Sequence, residues 1–162
     1  RTADVATSFQ EALKWTQDSQ QRAYIINNMA SYLLLSERES DLIDLIQRCL
    51  QDIPQDELLL RAQLAMQAGR VHRVLSNFDA AEQTCREAFL LIEKIKHNTE
   101  RWSPMASDAQ SLAHVEARVH SILAFVFYIR YELDRADREW RFDRDRYPRP
   151  VDQSRCAARH YG

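Results

Sequence analysis

Glycine and proline are nearly absent from this chain: two glycines and four prolines stand in 162 residues, against usual frequencies of about 7% and 5%. Sheet sandwiches and barrels need turn residues every ~8–12 positions, so a chain this poor in them folds as helices joined by short polar breaks. Hydrophobic residues at 45% and charged residues at 28% are the makeup of a chain that buries a core. The length suits one domain.

Apolar residues recur at helical spacing from end to end. Val5, Phe9, Ala12 and Leu13 mark a leading helix over 3–17, and Ile25, Ile26, Met29, Ala30, Leu33 and Leu34 mark a second ending near Leu35. After the polar turn Ser36 to Ser40, with Ser40 as cap, comes a helix carrying Leu42, Leu45, Ile46, Cys49 and Leu50. Pro54 ends it. Asp56 is expected to cap the fourth helix, whose inner residues are Leu59, Leu60, Leu64, Ala65, Ala68, Val71 and Leu75. Ser76-Asn77 turns the chain into a fifth, with Phe78, Ala81, Cys85, Ala88, Phe89 and Ile92 inside. A loop over 97–104 leads through Ser103-Pro104, a strong helix start, into a long sixth helix from Met105 to Tyr131. A last helix runs from Arg135 to Arg146, before Pro148, and the tail 151–162 has no periodicity and reads as mobile.

Charge excludes several functions. The 22 basic and 24 acidic residues leave a net charge of −2, so no basic excess points to nucleic acid or an anionic membrane as a direct partner. The longest apolar run, Ile122 to Ile129, has eight residues, short of the roughly 20 of a transmembrane helix. No signal-peptide pattern is present. Cys49, Cys85 and Cys156 lie far apart, which fits reduced thiols in a cytoplasmic protein, and the first two fall where cysteine serves as a small core residue. The last helix, DRADREWRFDRDR, nearly balances its aspartates and arginines; Asp134 with Arg138 and Asp137 with Arg141 lie at ion-pair spacing, the pattern of a solvated face.

Nothing in the spacing asks for chemistry. His114 and His120 are six apart and do not form His-Glu-x-x-His, although Glu116 and His120 lie at pairing distance on a helix. No Cys and His have zinc spacing, and Gly69 stands alone, without a glycine-rich phosphate loop. No metal, cofactor or catalytic residue is expected, and the chain reads as non-enzymatic.

The stretch AGRVHRVLSNFDAAEQTCREAF, with Ala68-Gly69, His72, Phe78, Ala81, Cys85 and Ala88 at fixed intervals, resembles a tetratricopeptide repeat. The small Gly69 and Ala81 would let two helices cross closely, Phe78 would plug the turn, and Glu82 would face solvent. The same register fits Ile26, Met29, Ala30, Leu33, Leu42, Ile46, Cys49 and Pro54 before it. After it come Leu123, Ala124, Phe127, Leu133, Ala136, Trp140 and Pro148. Leu42 and Asp143 depart from the pattern, and the spacing is irregular: Ala81 lies 39 residues after Leu42 and 55 before Ala136. The resemblance implies an all-α solenoid of antiparallel hairpins over 1–150, with repeats at 23–56, 62–95 and 117–150. An ordinary helical bundle is the alternative.

What the resemblance implies for function is a protein- or peptide-binding concave face lined by each hairpin's first helix. The family's groove positions fall on Tyr24, Asn27, Asn28 and Ser31, then Gln63, Met66, Gln67, Arg70 and Arg73, then Arg118, Ser121, Phe125 and Tyr128. The irregular repeats are also similar to those of large helical sensor proteins, and together with the start at Arg1 they suggest a ligand-sensing segment of a multidomain signalling protein or transcription regulator. The apolar groups from Phe125 to Tyr131 exceed one buried stripe and suggest a homo-oligomer contact or a cover by the loop carrying Trp102.

Overall fold

The computed structural model describes the backbone of residues 2–33, 39–97 and 106–146, and the side chains of 7–30, 41–97 and 109–141. Seven helices and no strand occur among the described residues: α1 (Thr2–Trp15), α2 (Ser19–Leu33), α3 (Glu39–Asp52), α4 (Leu58–Val74), α5 (Phe78–His97), α6 (Ala106–Ile129) and α7 (Leu133–Arg146). The breaks read at Pro54 and at Ser76-Asn77 fall between α3 and α4 and between α4 and α5. The Ser31 side chain, the turn before α3, the loop with Trp102, Pro148 and the tail lie outside the described residues.

The cap expected at Asp56 does not form, and the one expected at Ser40 lies within its helix. α3 already begins at Glu39, so Ser40 falls inside its first turn. α4 is preceded by Glu57, with no side-chain cap. Asp56 contributes only its carbonyl, which accepts from the Leu58 N–H at 2.8 Å, while the Glu57 carboxylate accepts from Gln20 on α2.

Each helix packs on the next, and α2, α4 and α6 also stack on one another in that order. The character of α4 explains this. Its Leu60, Leu64, Ala68 and Val71 join a core with Leu13, Ile26, Met29, Ile46 and Ile53. Its Ala62, Ala65 and Met66 join a second core with Ala81, Cys85, Ile92, Val119 and Val126. Fully burying a side chain such as Leu64 or Ile92 stabilises by about 1.5–3 kcal/mol, so each core rests on α4.

α4 and α5 approach closely at Gly69, as its small size predicts. A methyl group there would stand 2.8 Å from Cys85 Sγ, 3.3 Å from Thr84 Oγ1 and 3.6 Å from the Ala81 carbonyl oxygen. Burial pushes the Cys49 thiol up to about 11 and the Cys85 thiol up to about 12, so both stay protonated core groups at neutral pH.

The turns after α4 and α6 repeat one another. Asn77 N–H donates to the His72 carbonyl and Ser76 N–H to Arg73; likewise Glu132 donates to Phe127 and Tyr131 to Tyr128. This is the Schellman pattern, in which the pivot residue takes a left-handed conformation. Ser76 and Tyr131 have φ of 58° and 60°. They stand at the same offset as Ala81 and Ala136, both buried.

Elsewhere the apolar spacing and the repeat register misplace side chains. Leu75, Leu133 and Trp140, assigned inward, are 42%, 57% and 46% exposed. Leu75 lies at the C-cap of α4, and Trp140 stacks on Tyr128 with ring centroids 5.7 Å apart. Glu82 does not face solvent: its side chain is only 15% exposed and accepts from Arg86, Arg130 and Arg135. It ties α5 to the end of α6 and to α7.

Over Ala109–Ile129, α6 is long and apolar enough by composition to cross a membrane, which the short unbroken apolar run did not reveal. Of that stretch, 56% is buried within the protein, and its Glu116 is ion-paired with Lys96 of α5.

Candidate functional site

The stacking of α2, α4 and α6 leaves a groove between them, a cavity of about 510 Å³ lined by Asn27, Asn28, Gln63, Met66, Gln67, Gln110, Ser111, His114 and Val115. The lining is chiefly carboxamide. Asn27 and Asn28 come from α2, Gln63 and Gln67 from α4, and Gln110 from α6. Each carries two donors and an acceptor and no charge. Met66, nearly buried, and Val115, fully inside, supply the apolar part.

One hydrogen-bonded line fixes the orientation of these groups. Gln67 Nε2 donates to the backbone and side-chain oxygens of Asn27 at 3.3 and 3.2 Å. Its Oε1 accepts from Arg70 Nη1 at 2.8 Å. Arg70 thereby sets which way the Gln67 amide faces, and Gln67 in turn holds α2 against α4.

A cationic patch continues the groove. Burial, then the neighbouring guanidiniums of Arg118 and Arg73, hold Arg70 below its ordinary value. Burial, followed by Arg118 and Arg70, also holds His114 below the usual imidazole range. Arg73 lies over the Phe125 ring, 5.1 Å from its centroid, a cation–π contact of about 0.5–1 kcal/mol at an exposed site. Phe125 in turn meets Phe78, with centroids 6.5 Å apart.

Of the residues expected from the repeat register, Asn27, Asn28, Gln63, Met66 and Gln67 line the cavity together. Arg70, Arg73 and Arg118 form the adjoining patch with Phe125. Tyr24, exposed on α2, and the half-buried Ser121 are not among its lining, and Tyr128 is engaged with Trp140.

Gln110, Ser111, His114 and Val115 were missed. The third repeat was counted from residue 117, which leaves them in the extra length of α6. A signal was present: stepping back from Arg118 by one and two helical turns gives His114 and Gln110 on the same face. The other histidine of that helix is occupied elsewhere, with His120 Nδ1 bonded to Glu139 of α7.

No family model, curated protein or solved structure matches the chain.

Proposed function

We propose that this chain is a non-catalytic binding module, a TPR-like α-solenoid whose α2, α4 and α6 face receives an extended segment of another protein. The observation that carries this reading is the convergence of carboxamides from three stacked helices on one groove. Extended peptides present unpaired N–H and C=O groups, and carboxamides answer both. The twin Schellman turns support repetition of one helix–turn–helix unit, with α4 and α5 as one hairpin and α6 and α7 as the next. The buried thiols fit a reducing, cytoplasmic setting.

Selection of binders from a random linear-peptide library tests the reading. Peptides that bind at the groove lose at least about tenfold in affinity, or ~1.4 kcal/mol, on Gln63→Ala or Arg70→Ala. Lys94→Ala, on the exposed side of α5, leaves affinity unchanged. Equal affinities for all three variants would move the site elsewhere.

A further inference from the structure

Several arginines of this protein are matched to carboxylates. Arg86, Arg130 and Arg135 all meet the Glu82 carboxylate, and Arg141 meets Asp137. At the groove the pattern reverses. The charged groups acting on Arg70 are Arg118 and Arg73, and those acting on His114 are Arg118 and Arg70. None is acidic. Among the described residues, no carboxylate lies within ion-pair distance of Arg70, Arg73, Arg118 or His114.

Among the described residues, the elements around α6 bring no carboxylate to this patch. α2 presents the neutral Asn27 and Asn28, and α4 presents Gln63 and Gln67 beside Arg70 and Arg73. Lys96 of α5 is engaged with Glu116, and Glu139 of α7 with His120. Like charges held together around a partly desolvated imidazole favour its neutral form, and an arriving anion reverses that field. An acidic ligand and a proton therefore help one another to bind.

We infer that the groove takes an acidic side chain of the bound segment among Arg70, Arg118 and His114, and that His114 binds a proton as the carboxylate arrives. This rests on the peptide-binding reading and adds the ligand's charge and its coupling to pH. The proton is held more tightly in the complex than in the free protein. Binding therefore strengthens as pH falls from the bound imidazole value to the free one.

The test uses a linear peptide of alternating glutamate and serine, and its twin with glutamine for glutamate. Calorimetric titration should show the acidic peptide binding in preference to its twin, and more tightly near pH 5.5 than near pH 8, by up to about tenfold for each unit by which the imidazole value rises. The His114 ring proton, followed by NMR, should titrate at higher pH with the acidic peptide present. His114→Gln should flatten the pH dependence. Equal binding of the two peptides, pH-independent binding of the acidic one, or a pH dependence that survives His114→Gln each overturns the inference. If library-selected peptides still bind and respond to Gln63→Ala, only the inference has failed; if they do not, the binding reading falls as well.

Discussion

A missing side chain decides how closely α4 meets α5. Alanine at Gly69 would gain about 1 kcal/mol of helix propensity, yet its methyl would meet the fully buried Cys85 sulfur at 2.8 Å. Overpacking of this kind costs about 1–3 kcal/mol, so Gly69→Ala should be destabilising on balance. In a Cys85→Ala background the obstruction is gone, and the same change should become neutral or stabilising. Denaturant melts of the four proteins in this cycle measure the coupling. Additive effects would mean that the sulfur is not what keeps position 69 a glycine.

At the level of helices, the join between α5, α6 and α7 is electrostatic as much as apolar, and it centres on Glu82. Burial raises its carboxyl value, but hydrogen bonds from Arg86 and Arg130 outweigh this and hold it below the ordinary 4.5. A carboxylate depressed in the folded state contributes stability above its unfolded value and loses it as pH falls through the folded one. Glu82→Gln should therefore cost about 1–3 kcal/mol at neutral pH, and the gap from the parent protein should close as pH drops below 4.5. Melts across an acid pH series check both; a gap that persists at the acid end would mean that packing, not charge, sets the cost. The sequence made the inward faces of α2 through α5 legible, since Ile26, Met29, Ile46, Leu64, Cys85 and Ile92 repeat at helical spacing. It did not disclose Glu82, whose partners Arg130 and Arg135 lie about 50 positions away and meet it only through tertiary packing. The start of α4 was equally hidden, because Glu57 rather than Asp56 precedes the helix and its carboxylate is taken by Gln20 from α2. Half of the groove was readable from the register, but His114 and Gln110 lie in the added length of α6, where no repeat position applied.

Across the whole molecule, stability divides between two cores that share one wall. Leu64 and Ile92 are both fully buried, one in each core, and truncating either to alanine should cost about 2–5 kcal/mol. The distribution of the damage should differ: in a chain of neighbouring interfaces, local opening stays near the weakened one. Hydrogen exchange should speed up mainly in α1 to α3 for Leu64→Ala and in α5 to α7 for Ile92→Ala. Uniform acceleration in both variants would mean a single cooperative unit. The shared wall also governs how the chain could be dissected. A fragment ending before Leu58 forfeits Leu60, Leu64, Ala68 and Val71 from the first core, whereas one ending at His97 carries Ala62, Ala65 and Met66 away from α6. Self-sufficient pieces must therefore overlap, each bearing its own copy of α4, and a chimera grafted onto either half has to duplicate that helix rather than splice at its end.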